Sequence, residues 1–509
     1  MSNQFLADKK GDWLVLIAGV LLPLAFAPFG FFIIALVSLA VLFSVWGGVS
    51  AKRAAWRGWL FGLGMYGVGV SWIYISIHIY GGVPFALTIF LTALFISFMA
   101  LFPALLGYCL GRFSRDITSS LLLLVIFPAG WVLQEWVRGW FLTGFPWLSA
   151  GYSQIDSPLV GYAPVMGVYG VSWILALSAG VLAYVVAQRS NKGRRFFAAF
   201  ITGVMLWGGG YFLHQVEWVE PEERAIDVAL LQGNISQEMK WLPEVRRPTI
   251  DLYSDMSRAN WDSDLIVWPE TALPDFYHRA EEFILRFGEE ARTNNTDVLM
   301  GVLYVDRDTQ RYYNSMVSLA DSPTFYHKQH LVPFTEYLPL KWLFGGIVEF
   351  MNVPMSNFSA GERNQSLLEG AGYKIGISIC YEDAFGEEVI WTLPEASLLV
   401  NVSNDAWFSG SIAPHQHLQM AQMRAVESGR PMLRATNTGV TAAFDHKGYL
   451  IGQIPQYEVG VLKVNVLPMR GITPYALLGN WLVVSVAVLS LIMCFFWQRT
   501  KRKRQQTLV

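Results

Sequence analysis

Two rhythms of hydrophobic residues divide the chain. Up to about residue 214, apolar residues run in long blocks, and one more block lies near the C-terminus. The blocks cover residues 13–27, 31–46, 59–76, 84–110, 119–137, 165–187, 196–214 and 476–497. A bilayer-crossing helix needs ~20 apolar residues, so these blocks predict about eight spans. The stretch "APFGF" separates the first two blocks. Its Pro and Gly favour a tight turn, so a helical hairpin is expected there. Between 215 and 475 the rhythm changes to short β-rich runs such as "AIDVALLQG", "DLIVWPE", "DVLMGVLYV", "YKIGISICYE" and "ASLLVNVSND". Helical stretches near 244–261, 280–294 and 415–428 lie between them. Strands alternating with helices predict a layered α/β domain. The expected organisation is a seven-helix membrane domain (1–214), a globular domain (215–475), and one further span with a basic tail (476–509).

Composition and charge add an orientation. Hydrophobic residues make up 53% of the 509 and charged residues 15%. The mean hydropathy is +0.36. This is too apolar for an ordinary soluble chain and fits several spans. The overall charge of −2 hides an acidic middle: 215–475 holds 20 Lys/Arg against 34 Asp/Glu, a net of −14. Basic residues cluster in alternate loops: Lys9 and Lys10; Lys52, Arg53 and Arg57; Arg112 and Arg115; Arg189 to Arg195; Arg499 to Arg504. The opposite loops hold Arg138 alone. Lys and Arg mark cytoplasmic loops, so both termini are expected in the cytoplasm and the acidic domain outside. The first block lacks a small-residue cleavage site, so no cleaved signal peptide is expected. No basic domain points to nucleic acid.

Candidate chemistry lies in the polar domain. Of three cysteines, Cys109 and Cys494 lie in apolar blocks, and Cys380 ends a strand-like run beside Glu382 and Asp383. A buried Cys is often only a small core hydrophobe. Outside the cytoplasm, however, structural cysteines are usually paired, and a lone thiol at a strand end is a candidate nucleophile. Glu270 follows the apolar run in "DLIVWPE", where open α/β sheets form their sites. Lys328 sits in "FYHKQHLVPFTEYLP", with Glu336 eight positions on. Taken singly, each is equally a loop carboxylate or a snorkelling lysine.

Together, "LIVWPE", "YHKQHLVPF" and "ISICYED" resemble the signature blocks of the nitrilase superfamily. The resemblance implies an αββα sandwich with Glu270 as general base and acid, Lys328 stabilising an oxyanion, and Cys380 as nucleophile. Such a domain between seven spans and an eighth is similar to the superfamily's membrane-embedded branch, the apolipoprotein N-acyltransferase family of Gram-negative bacteria. "LQGNISQEMKW", "NVSNDAWF", "PHQHLQMAQMRAVESGRPMLRATNTG" and "RGWFLTGFPWLSAGYSQ" extend the likeness along nearly the whole chain. One departure is Thr335, where the family usually has Gly before the acid at 336.

The resemblance implies transfer of a fatty acyl chain from a phospholipid to the α-amino group of an apolipoprotein's N-terminal diacylglyceryl-cysteine, through a thioester on Cys380. It implies an inner-membrane protein with a periplasmic catalytic domain and no cofactor. Glu336, Tyr381 and Glu382 are expected to support the site, and Trp241 to lie near the lipid entrance. The apolar stretch 341–358 is expected to act as a lid, or else to be ordinary core. Arg424 and Arg434 look like ion-pair partners. His415 and His417 lack the further ligands a metal site needs. Glu135 and His78 fall near span ends, facing headgroups or water. Two other readings stand beside this one: a membrane-tethered amidase that uses water, and a lipid-binding or transport scaffold without catalysis.

Overall fold

The computed structural model describes residues 9–113, 119–187, 192–319, 322–339 and 357–506. The expected lid lies outside the described residues except for Asn357 and Phe358, as do Arg115 and Arg189. The chain forms two units: Met1–Tyr74, Pro84–Val216 and Leu478–Val509 in one, Ile75–Val83 and Glu217–Leu477 in the other.

The first unit is made of apolar helices. Among the described residues, four are long and apolar enough to cross a membrane: Phe85–Arg112, Ser119–Arg138, Pro158–Ala187 and Gly193–Gln215. Ile33–Trp46 and Trp481–Trp497 are shorter apolar helices. The expected hairpin turn lies between Lys9–Leu21 and Ile33–Trp46, with Gly30 at φ 71°. The block 59–76 is not one straight helix. Ala51–Gly69 ends in a glycine-rich "GVG", a weak helix former, and Ile73–Tyr80 leaves at 61°. Helices here pack on small residues. A Cβ on Gly58 would lie 2.2 Å from the Pro103 carbonyl oxygen, so only glycine permits this approach.

Two basic residues of the charge pattern are not solvated. Arg57 is buried, pairs with Asp12 at 3.0 Å and donates to the Val45 carbonyl at 2.6 Å. Arg138 is also buried and donates to the carbonyls of Phe145 and Trp147 and to Ser149 Oγ. Glu135 faces neither headgroups nor water: it is fully buried and accepts from Trp131 Nε1 and the Ala150 N–H, both at 2.8 Å.

The second unit contains two six-stranded sheets. One runs β13 (Gly460–Val466), β2 (Ile226–Gln232), β3 (Leu265–Val267), β4 (Asp297–Asp306), β5 (Arg311–Ser318), β6 (Thr324–His327). The other runs β12 (Leu450–Ile454), β11 (Thr441–Phe444), β10 (Met432–Thr436), β9 (Leu398–Ser403), β8 (Tyr373–Ile379), β7 (Leu368–Gly370). A two-residue ladder joins β1 (Glu220–Pro221) to β14 (Met469–Arg470). Strand alternation explains the layers. Ile226, Val228 and Leu230 of β2 meet Ile375, Ile377 and Ile379 of β8 between the sheets. Ala229 and Leu231 turn outward, towards Tyr253 of helix Pro243–Arg258 and Ile284 and Phe287 of helix Tyr277–Thr293. On the other sheet, Leu399 and Met432 pack under Ala421 and Ala425 of helix Ala413–Ser428. The result is a four-layer αββα sandwich. β2, β3 and β4 run parallel, as do β8, β9 and β10, so their C-terminal ends gather the loops that carry the chemistry.

Candidate active site

Three strand ends deliver the expected trio. Glu270 lies just past β3, Lys328 directly follows β6, and Cys380 directly follows β8. The strand before Lys328 was not legible as one, because "TFYH" is short and polar at both ends.

Lys328 Nζ lies 2.9 Å from Glu336 Oε1 and 3.9 Å from Glu270 Oε1. Burial opposes the cation, but Glu336, Cys380 and Glu270 outweigh it and raise the lysine above its ordinary value. Lys328 therefore stays charged at neutral pH. Glu270 is held from both sides: Asn314 Nδ2 donates to Oε1 at 2.7 Å and the Asn404 N–H to Oε2 at 2.8 Å. Glu336 accepts the Val332 N–H at 2.8 Å. Thr335, where the family usually has Gly, does not need a glycine's backbone, since Phe334 takes the positive φ of 65° and Thr335 does not.

Cys380 is partly exposed and has φ 54°. A left-handed backbone costs a non-glycine residue ~1–2 kcal/mol, a strain often found at functional positions. Burial pushes the thiol well above its usual range; Glu270 acts in the same direction and Lys328 against it. Burial thus favours the protonated thiol, and only the thiolate of a cysteine is strongly nucleophilic.

Glu382 acts as a clasp. Its carboxylate accepts from Ile379 N and Gln329 N, each at 2.6 Å, and from His330 N and Tyr326 OH, each at 3.1 Å. It ties the end of β8 to the loop that carries Lys328. Burial nonetheless raises the carboxyl to about 7. Tyr381 is buried, its ring edge-on to Phe385 at 5.0 Å and His330 at 5.6 Å. Trp241 is 37% exposed.

Several residues here escaped the sequence reading. Lys240, beside Trp241, is buried and donates to Thr271 Oγ1 at 2.5 Å and the Glu270 carbonyl at 3.2 Å. Burial lowers it to about 8, with Glu270 opposing. Thr271 has φ 46°, so this lysine fastens a strained turn that carries Glu270. Lys240→Met should lower kcat ~10-fold while KM stays within ~3-fold, as expected when the Glu270 carboxylate is displaced without loss of binding. Unchanged steady-state kinetics would show that the turn holds without it.

Arg434, Asp383, Asp405 and His417 form a second buried group. Arg434 reaches Asp383 at 3.0 Å and Asp405 at 2.9 Å. His417 Nε2 lies 2.7 Å from Asp383 Oδ1, and its Nδ1 lies 3.2 Å from Asp405 Oδ1. Arg434 is thus an ion-pair partner; Arg424 pairs with Glu427 at 3.0 Å. Burial and Arg434 disfavour the imidazolium, but the two aspartates prevail and raise His417 from 6.5 to about 9. Because the folded value lies above the unfolded one, this stabilisation is complete below 6.5 and is lost as pH rises through about 9. The thermal midpoint should therefore fall between pH 7 and about 9.5, and His417→Gln should flatten that fall. An equal fall in the variant would contradict the assignment.

Residues 227–470 match the carbon-nitrogen hydrolase family, and the sandwich with its site at the strand ends defines that class of domain. Residues 18–181 match the apolipoprotein N-acyltransferase N-terminal domain. The chain is 47% identical over 500 residues to an apolipoprotein N-acyltransferase of Methylococcus capsulatus, covering 98% of each chain. It is 42% identical to one from Photobacterium profundum, covering 96% of this chain and 95% of that one. It is also 42% identical to one from Vibrio cholerae, covering 95% and 96%. The chain therefore belongs to the apolipoprotein N-acyltransferase family, a family of acyltransferases.

Proposed function

We propose that the protein transfers a fatty acyl chain from a phospholipid to the α-amino group of the N-terminal diacylglyceryl-cysteine of apolipoproteins, in two half-reactions through a thioester on Cys380. One observation carries this reading: a strained cysteine, a buried charged lysine and a doubly held glutamate converge at the ends of β8, β6 and β3.

In the first half-reaction Glu270 takes the Sγ proton as sulfur attacks the ester carbonyl carbon. Lys328 stabilises the oxyanion, an effect worth a few kcal/mol. The C–O bond then breaks, Glu270 returns its proton to the lysophospholipid alkoxide, and the acyl group stays on sulfur. In the second, Glu270 deprotonates the acceptor ammonium and the free amine attacks the thioester. The C–S bond breaks, an amide forms, and the departing sulfur recovers a proton. Glu336 fixes Lys328, and Glu382 fixes the loop around it. An amide is more stable than a thioester, so no energy source and no cofactor is required.

The reading places about eight spans in the bacterial inner membrane, with both termini cytoplasmic and 215–475 periplasmic, supported by the alternation of Lys/Arg clusters. Arg57 and Arg138 drop out of that count because each is buried, one paired with Asp12 and the other bonded to backbone carbonyls. Seven spans would belong to 1–214 and one to 476–509. The test uses a phospholipid with an alkyne-tagged fatty acid. Wild-type protein should move the tag to a diacylglyceryl-cysteine peptide and not to its N-acetylated form. Release of tagged free fatty acid at one rate with and without the peptide would instead favour a hydrolase in which water, not the amine, takes the acyl group.

A further inference from the structure

Two side chains reach the Cys380 carbonyl through shared hydrogen bonds: His417 Nε2 at 3.1 Å, which also lies 2.7 Å from Asp383 Oδ1, and Asn401 Nδ2 at 3.3 Å, which also donates to Ser378 Oγ at 3.0 Å. Both belong to the buried charge cluster or touch it. Asn401 pairs in register with Arg434 across β9 and β10, and its Oδ1 accepts from the same guanidinium. The cluster has a second arm. Asp405 accepts from Ser403 Oγ at 2.8 Å, and the residue between them, Asn404, gives its N–H to Glu270 Oε2. It has a third arm at Asp383, which follows the Glu382 clasp in the turn Cys380–Ala384.

Asp383, Asp405, Arg434 and His417 are at most 2% exposed. Burying four ionisable groups is a poor route to stability, since desolvation offsets much of the attraction. Their placement has a different consequence. A left-handed cysteine presents its sulfur correctly only if its peptide plane is fixed. We propose that Arg434, Asp383, Asp405 and His417 form a positioning device that sets the Cys380 peptide plane and the Glu270 carboxylate in register, with His417 as the donor that fixes the Cys380 carbonyl. This rests on Cys380 being the acyl-carrying nucleophile. His417 acts through Cys380 and touches no substrate.

The experiment measures single-turnover acylation of Cys380 by phospholipid in the full-length protein, with His417→Leu, His417→Gln and Cys380→Ser. Leu removes the donor; Gln can place an N–H near Nε2. Misplacement of a reacting group costs ~10²-fold, so His417→Leu should acylate ~100-fold slower, with KM for the phospholipid within ~3-fold. His417→Gln should recover to within ~10-fold of wild type, which a merely structural histidine would not predict. A folded His417→Leu protein that acylates at the wild-type rate overturns the proposal, as does a Gln variant no faster than Leu. Should the Leu variant not fold, Asn401→Ala removes the other donor to the same carbonyl, and acylation at the wild-type rate there overturns it equally. Cys380→Ser separates the two claims. Transfer retained in Cys380→Ser sinks the nucleophile assignment, whereas an inactive Cys380→Ser beside fast His417 variants sinks only the positioning role.

Discussion

Cys380→Ala should lower acyl transfer by at least ~10⁴-fold while the protein stays folded, because the proposed mechanism makes Cys380 the nucleophile and its removal leaves only binding and electrostatic effects. The expectation follows from the division of labour at the strand ends. Lys328 and Glu270 can stabilise and relay charge, but neither can carry the acyl group between donor and acceptor. The same substitution leaves the backbone strain in place, since alanine also resists φ 54°. Cys380→Gly removes both sulfur and strain, so it should be as inactive as the alanine variant and more stable by ~1 kcal/mol. Thermal midpoints of the two variants, read beside transfer rates, check both halves. A Gly variant less stable than Ala would mean that the left-handed conformation is not strained. Residual transfer above a percent of wild type would favour a site in which Cys380 is a bystander.

Arg434→Met should destabilise the protein severely. The guanidinium is fully buried between Asp383 and Asp405, themselves fully buried. Removing one partner of a buried ion pair costs ~3–5 kcal/mol, because the remaining charges lose their compensation. Across a domain of this size the thermal midpoint should drop on the order of 10 °C. The cause lies in Asp405, which burial pushes up but Arg434 and His417 hold well below the usual carboxylate range. Without Arg434 that carboxylate is left buried and poorly paired. Adding Asp405→Asn to Arg434→Met removes one uncompensated charge and should restore part of the loss. A single variant within a degree of wild type would contradict the cluster's energetic role.

How much was legible in the sequence depends on how locally each feature is encoded. Glu270, Lys328 and Cys380 stand in contiguous blocks with a strand beside each, so a layered α/β domain was legible from the pattern, while the αββα sandwich and the grouping of the three residues followed from the resemblance those blocks carry. The edge strands β7, β12 and β13 were less visible: β7 is three residues long, β12 is largely exposed, and β13 is mostly half-buried or exposed, so their hydrophobic pattern is weak. The break after Gly69 was hidden because hydropathy measures composition and is blind to a bend. Arg57 counted as a solvated charge, although its partner Asp12 lies 45 positions earlier. His417 reaches the Cys380 carbonyl across 37 positions, and Lys240 reaches Thr271 across 31. Such contacts arise only once the sheets are assembled, and no local pattern announces them. His417 drew notice only as half of a "PHQH" pair, where the metal question obscured its contacts with Asp383 and the Cys380 carbonyl.

The most direct test of the central claim is intact-mass measurement of the purified protein after incubation with phospholipid alone, with Cys380→Ser alongside. The account predicts one added fatty-acyl mass on Cys380. It should be absent from the serine variant as a thioester, released by neutral hydroxylamine, and discharged on addition of a diacylglyceryl-cysteine peptide. A folded protein that gains no mass from any phospholipid, or an adduct that water discharges as fast as the peptide does, would contradict it.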